Sequence, residues 1–171
     1  LVALPDRAAL AASLAPAPGA GVEPELAAAR ERLAGLPDGA RRRRAAARAA
    51  VREALDRYAA GGRLDDDELA WLAVLLTDDA ARDDAWLRVL AVAPIPEHQV
   101  VWTDVVRRVP RGYVAAPATL LALSAWRAGN GALADVAAQR ALDAAPGYGL
   151  AELVREALRA GVPPSAFEPM P

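Results

Sequence analysis

The stretch "AWRAGNGALADVAAQRALDAAPGYGLAEL", residues 125–153, decides the fold class. Its alanines recur at spacings of three and four residues, the period at which side chains share one face of an α-helix. Gly129 can end the first helix in a left-handed conformation, and Asn130 can cap the next one. Pro146 and Gly147 end the second run. The stretch therefore predicts two closely packed antiparallel helices, with a further helix after them.

We interpret the conspicuous residues of this stretch as packing and turn residues. Ala134, Ala138 and Ala141 form a small-residue face that lets two helices approach closely. A glycine-rich phosphate loop is the alternative, but such a loop follows a strand, and the residues before Gly129 are helical in pattern. The structural motif comprises Trp126, Gly129, Asn130, Gly131, Ala134, Ala141 and Pro146.

The rest of the chain shows the same helical patterning, so we predict an all-α fold of about nine helices. Stacked antiparallel hairpins can form either a tetratricopeptide-like right-handed array or an irregular helical bundle. For residues 96–110, whose β-branched content is high, a strand is the alternative. The predicted helices span about residues 6–14, 23–36, 40–60, 65–76, 77–93, 96–110, 118–129, 131–146 and 148–161.

Apolar stripes on these helices predict the core. The fifth helix is expected to bury Leu87 and Leu90 with Trp86, and the run Tyr113–Trp126 to be a buried helix with an extended lead-in. The four tryptophans are expected to be core anchors, because alanine and leucine supply most of the remaining apolar volume. Residues 1–36 are expected to be a helical segment and linker continuing from an N-terminal domain, 37–162 the helical domain, and 163–171 a loosely ordered tail.

Composition argues against several classes of function. The chain has no cysteine, which excludes disulfides and thiolate chemistry, and its longest apolar run is shorter than a membrane span. We expect a cytoplasmic protein that has no membrane contact. "LDDDE" at residues 64–68 is explained by helix capping rather than by a metal. His98, the only histidine, is expected to be exposed or to cap its helix. No catalytic, cofactor-binding or metal-binding residue is predicted.

Charge is distributed in blocks. Residues 41–63 contain eight arginines and two acids, and residues 64–84 contain eight acids and one arginine. Arg41, Arg44, Arg48 and Arg52 lie on one helical stripe, which could bind an anionic partner. The alternative is internal neutralisation by the acids between Asp65 and Asp84. No aromatic residue interleaves the arginines for base stacking, so nucleic acid is the less favoured partner.

Two resemblances follow from these residues. The spacing of Leu121, Gly129, Ala134, Ala141 and Pro146 resembles one tetratricopeptide repeat. In addition, "LPDRAALAASLAP", "RLDDDELAWLAVLLTDDAARDD" and the stretch from Pro117 to Pro164 are similar to the C-terminal helical half of an actinobacterial family, domain of unknown function 4192. That resemblance implies an N-terminal α/β portion that this chain lacks, and it supplies no activity or catalytic residues.

The function expected from the sequence is therefore a non-catalytic interaction or scaffold domain. Its C-terminal hairpins would present a groove to a protein partner or to its own N-terminal domain. One alternative is the helical accessory half of an enzyme whose active site lies in that N-terminal domain. A second is anion or nucleic-acid binding through the arginine stripe. The oligomeric state is left open by the sequence.

Overall fold

A computed structural model describes residues 6–18, 21–37, 39–91 and 96–167. Within these ranges the chain forms nine α-helices and no strand, so the all-α prediction is confirmed. The strand alternative for residues 96–110 is wrong. The helices are α1 Arg7–Ser13, α2 Glu23–Ala34, α3 Ala40–Ala59, α4 Asp66–Leu75, α5 Asp79–Ala91, α6 Pro96–Arg108, α7 Ala115–Arg127, α8 Gly131–Ala144 and α9 Gly149–Arg159. Short 3₁₀ turns lie at Arg111–Tyr113 and Pro164–Phe167.

Two buried helices organise the packing. α4 is buried from Leu69 to Leu75, and α7 is buried from Pro117 to Trp126. α2 and α3 cover α4, whereas α5, α6, α8 and α9 surround α7. α3 also contacts α5 and α6, so it joins the two groups of helices into one hydrophobic core.

The packing is that of an irregular bundle. α1 packs on α8, more than a hundred residues away in sequence, and Arg7 forms an ion pair with Asp135 there. In a repeat array each unit contacts only its neighbours, so these long-range contacts distinguish a bundle from an array. Leu14 and Leu26 from the N-terminal segment join the common core. The predicted division at residues 36 and 37 stays a prediction, and residues 168–171 of the predicted tail lie outside the described residues.

Helix ends follow the local sequence signals. Asp65 and Glu68 form a reciprocal capping box at the start of α4, as their spacing predicted. Asp78 caps α5 through a 3.0 Å hydrogen bond from the Ala81 N–H. At the end of α3, Gly61 has a φ of 79°, a left-handed conformation that glycine adopts without a Cβ clash.

The predicted core face of α5 is wrong at Leu87, which is 61% exposed. The buried face is instead formed by Ala81, Ala85 and Val89, with Asp84 among them. The inward position of Asp84 sets the rotation of the helix, because its carboxylate pairs with an arginine of α3.

The extended lead-in before α7 is also wrong, since a 3₁₀ turn precedes α7 and the helix begins at Ala115. Pro117 lies in its first turn, where a backbone N–H needs no partner within the helix. Trp71, Trp102 and Trp126 are buried and Trp86 is partly buried against the same core, which confirms the core-anchor prediction.

Candidate interaction surface and binding groove

α3 brings the basic segment of the chain against the acidic helix starts. Four of the eight arginines in residues 41–63 pair with carboxylates elsewhere in the bundle, so about half of the basic charge of this segment is neutralised. The pairs are Arg43 with Asp78 at 3.0 Å, Arg48 with Asp84 at 2.5 Å, Arg57 with Glu68, and Arg63 with Asp104. The last acceptor lies on α6, outside the acidic block that the sequence suggested as the neutralising partner.

The pair between Arg48 and Asp84 removes one member of the predicted stripe. Arg48 donates from both Nε and Nη2 to the Asp84 carboxylate, and Arg88 donates from Nε at 2.9 Å. The hydrogen bond from Arg48 is the main cause that holds the pKa of Asp84 below its ordinary value, against the opposing effect of burial. Arg48 is therefore committed to holding α3 against α5.

The other three stripe residues form an exposed surface. Arg41, Arg44 and Arg52 are exposed, and none forms a hydrogen bond or ion pair with another described residue. We call these three side chains the basic face of α3. They lie along one flank of the helix, beside the stripe of Ala47, Val51 and Ala54 that faces the core.

The start of α3 reinforces the positive potential of this face. Gly39 is the N-cap residue and makes no side-chain capping bond, and the first turn contains no acid. The N-terminus of a helix carries a partial positive charge, so arginines are locally unfavourable there and acids would be stabilising. The basic face thus attracts anions, and no carboxylate of the described residues pairs with it.

A groove lies between the end of α3 and α6, with a volume of about 620 Å³. Its floor is a hydrogen-bonded cluster around Asp104, whose carboxylate accepts from the Tyr58 hydroxyl, from Arg63 and from Arg108 at 2.9 Å. The lining of the groove contains both polar and apolar side chains. The lining residues are Tyr58, Gly61, Gly62, Arg63, Gln99, Val100, Thr103, Asp104, Arg107 and Leu133.

The pKa values of Tyr58 and Asp104 in the groove cluster are both shifted from their ordinary values. Burial and the hydrogen bond to Asp104 raise the pKa of Tyr58 to about 12. Burial acts to raise the pKa of Asp104, but the hydrogen bonds from Tyr58, Arg108 and Arg63 outweigh it, and the pKa lies below its ordinary value. At neutral pH the floor therefore contains a carboxylate, a neutral phenol and two guanidinium groups.

The residues of the sequence motif at the α7–α8 turn lie in the core and in the turn itself. Trp126, Ala134 and Ala141 are buried in the core, and α7 and α8 pack closely along their length. Gly129 adopts a φ of 78°, and the Asn130 side chain accepts a hydrogen bond from the Leu133 N–H at 3.1 Å. Gly131 is the first residue of α8, and Pro146 is exposed in the turn that follows α8. None of these residues lines the groove.

The C-terminal helices form a narrow apolar crevice, and the partner groove that the sequence predicted there stays a prediction. Trp86, Leu90, Leu123, Trp126 and Leu153 contribute to it, with Val154 and Ala157. Leu153 is also 47% exposed at its edge.

His98 contradicts the expectation of an exposed or capping side chain. It is buried on α6, its Nδ1 has no hydrogen-bond partner, and burial lowers its pKa. Its position near the start of a helix suggested exposure, but tertiary packing covers this face of α6. The sequence also gave no sign of the Asp104 cluster, since its donors come from three separate segments of the chain.

Within the described ranges, no three His, Asp or Glu side chains lie close enough together to hold a metal ion. No helix in the same ranges combines the length and the hydropathy needed to cross a membrane. A family model described as "Domain of unknown function (DUF4192)" matches residues 1–165. No curated protein and no solved structure matches the chain.

Proposed function

The chain belongs to the DUF4192 family, a family of domains of unknown function, and from this premise we propose that it is a non-catalytic helical interaction domain. Its basic face, formed by Arg41, Arg44 and Arg52, binds an acidic segment of a protein partner. The observation that carries the proposal is that these three exposed guanidinium groups share one flank of α3 and have no partner among the described residues.

An acidic protein segment fits this face better than nucleic acid does. The chain has a net charge of −2, so the basic face, and not the overall field of the chain, attracts an anionic partner. Three arginines offer few phosphate contacts, and the basic face has no aromatic side chain on which a base could stack.

The ionisable groups that the described fold buries support a non-catalytic role. General acids and bases work best when their pKa lies near the working pH. Asp84 and Asp104 have pKa values lowered from ordinary carboxyl values, and Tyr58 has a pKa raised to about 12. His98 has a lowered pKa and no hydrogen-bond partner for its Nδ1. These groups keep one protonation state near neutral pH.

The proposal also includes three expectations from the sequence: a tetratricopeptide-like hairpin, an actinobacterial source and a cytoplasmic location. The tetratricopeptide-like spacing in the α7–α8 hairpin supports an interaction domain, because such hairpins present surfaces to other proteins. Arginine without lysine and abundant alanine support an actinobacterial source, and the absence of cysteine supports a cytoplasmic location.

The second candidate is a helical accessory half that docks on an enzymatic N-terminal portion of the same protein. The apolar crevice between α5, α7 and α9, with Leu153 exposed at its edge, favours this candidate. Single exposed leucines are common on protein surfaces, so the observation is weaker than the unpaired arginines.

The proposal is tested by fluorescence anisotropy with a labelled deca-glutamate peptide over a series of salt concentrations. We expect binding at low salt that weakens as salt is added, because exposed charges are screened. Arg44→Glu should weaken it strongly, and Arg41→Glu/Arg44→Glu should abolish it. The matched control is Arg159→Glu, which makes the same change of charge at an exposed arginine on α9.

Thermal unfolding of the double variant gives a second readout. An acid in the first turn of α3 complements the helix dipole, so Arg41→Glu/Arg44→Glu should stabilise the chain by about 0.3–1 kcal/mol in total, mainly from the change at Arg41. Loss of peptide binding with a gain of stability would show that the two arginines bind the peptide and do not stabilise the fold. Equal loss of binding in Arg159→Glu, or tighter binding of a 20-base-pair DNA duplex (a length of about two helical turns), would contradict the proposal.

A further inference from the structure

We propose that the groove between α3 and α6 is a binding site for a small organic anion, a carboxylate or a phosphate monoester that carries an apolar group. The proposal is independent of the basic face, because none of the groove residues belongs to that face.

The groove has the size of a ligand site. Its volume of about 620 Å³ lies within the range of roughly 300–1,000 Å³ that small-molecule pockets occupy. The turn at Gly61 and Gly62 forms one rim. The Gly62 N–H donates to the Arg57 carbonyl at 2.9 Å, and a Cβ on Gly62 would meet the Arg57 Cγ at 3.0 Å. This rim is therefore fixed by backbone geometry, and two residues without side chains leave the groove open there.

The cationic side of the groove comes from Arg63 and Arg107. Asp104 holds the Arg63 guanidinium in position, which reduces the conformational entropy that this side chain would lose on binding. Arg107 is exposed and forms no hydrogen bond or ion pair through its side chain within the described residues. Since Asp104 already accepts from three donors, its charge is compensated, and Arg107 can offer its donors to a ligand.

The other side of the groove is apolar. Val100 is 52% exposed although it lies on a helix whose neighbouring valines are buried, and Leu133 of α8 also lines the groove. A ligand that carries an apolar group would remove this surface from water at about 25 cal/mol per Å². Thr103 and Gln99 also line the groove, and their hydroxyl and amide groups can hydrogen-bond a polar ligand edge. The combination selects an anion with an apolar body over a free inorganic ion.

The chemistry of the floor fits binding rather than proton transfer. Tyr58 keeps its proton because its pKa is raised to about 12, and Asp104 stays ionised because its pKa is lowered. A ligand in the groove would meet the same fixed charges throughout the neutral pH range.

The test is NMR titration of ¹⁵N-labelled protein with four probes: phenyl phosphate, phenylacetate, inorganic phosphate and benzyl alcohol. We expect phenyl phosphate, phenylacetate or both to shift the amide signals of Gly61 and Gly62, with inorganic phosphate and benzyl alcohol at least about tenfold weaker. Arg107→Ala should weaken binding by about tenfold or more, because a hydrogen bond to a charged group is lost. Val100→Asp should also weaken it, since a carboxylate then faces the ligand.

Arg159→Ala is the matched control, because it removes an exposed arginine that does not line the groove. The Arg41→Glu/Arg44→Glu variant should keep the groove binding intact, which separates this proposal from that of the basic face. The proposal is overturned if none of the probes shifts the glycine signals at about 10 mM, above the millimolar Kd of even a weak site. Equal affinity for inorganic phosphate, unchanged affinity in Arg107→Ala, or an equal loss in Arg159→Ala would also overturn it.

Discussion

At the scale of single residues, the molecule depends on a few partly buried carboxylates that each join several segments. Asp104 accepts hydrogen bonds from Tyr58 on α3, from Arg63 in the loop after it, and from Arg108 one turn along α6. Arg108 continues the network to the Leu64 carbonyl at 2.8 Å and to Asp66 at 2.8 Å. One carboxylate therefore ties α3, α6 and the start of α4 together at the floor of the groove.

Asp104→Asn should destabilise the chain at neutral pH by about 1–3 kcal/mol, because charge-assisted hydrogen bonds are replaced by weaker ones. The pKa of Asp104 is lowered in the folded chain, so its ionised form stabilises the fold above the ordinary carboxyl pKa. That contribution is lost as the pH falls below about 4 toward the folded pKa. The difference in unfolding free energy between the wild type and the variant should therefore shrink from pH 7 to pH 3, measured by urea denaturation.

Asp67→Asn is the control for this prediction, since Asp67 is exposed in the first turn of α4 and makes no ion pair among the described residues. Its effect should be a few tenths of a kcal/mol, from the helix dipole alone. A wild-type-to-Asp104→Asn difference that stays constant down to pH 3 would argue against the assigned role of the Asp104 charge.

At the scale of elements, the helix ends show the strongest agreement between local sequence and structure. The α7–α8 turn is an example, because its hydrogen bonds use only neighbouring residues. The Gly129 N–H donates to the Trp126 carbonyl at 2.9 Å and the Asn130 N–H donates to the Ala125 carbonyl at 2.8 Å. This pair of bonds is the Schellman pattern, which places the residue after the C-cap in the left-handed region.

Gly129→Ala should destabilise the chain by about 1 kcal/mol or more, because φ is 78° there and a Cβ is disfavoured in the left-handed region. Gly131→Ala is the matched control two residues later. Gly131 begins α8 with an ordinary φ, and an added Cβ would meet only the Leu158 Cδ2 at 3.9 Å. We expect Gly131→Ala to be neutral or slightly stabilising in thermal unfolding. Equal effects of the two substitutions would contradict the assignment of strain to the turn.

At the scale of the whole molecule, one core connects segments that are distant in sequence. α1 contacts α8, and α2 covers α4, so the N-terminal segment buries Leu14 and Leu26 against helices that come much later. Because the contacts cross the predicted boundary between residues 36 and 37, residues 6–36 and the helices they cover should unfold together.

Leu26→Ala tests this cooperativity, since Leu26 is 2% exposed. It should lower the unfolding free energy by about 2–4 kcal/mol, from the lost transfer free energy and the cavity left behind. A single transition should shift as a whole in circular dichroism and in tryptophan fluorescence. Leu87→Ala makes the same chemical change at a side chain that is 61% exposed and should have little effect. Separate transitions by the two probes would instead indicate that the N-terminal segment unfolds by itself.

Some of the candidate sites could be anticipated from the sequence, and some could not. The arginine stripe was visible because charges at spacings of three and four share one helical flank. The ion pair between Arg48 and Asp84 could not be predicted from the sequence, since it depends on how α5 is rotated against α3. The groove depends in the same way on Tyr58, Asp104 and Leu133, which come from three helices.

The sequence by itself determined the helical class, the ends of most helices and the hairpin at Gly129, because capping, glycine turns and periodicity act between residues a few positions apart. The tertiary structure decided which helices are central, how α5 is rotated, that His98 is buried, and which arginines pair with carboxylates. Those outcomes depend on packing between helices that are distant along the chain. Side chains of similar size and charge allow many pairings, and only the assembled core selects among them.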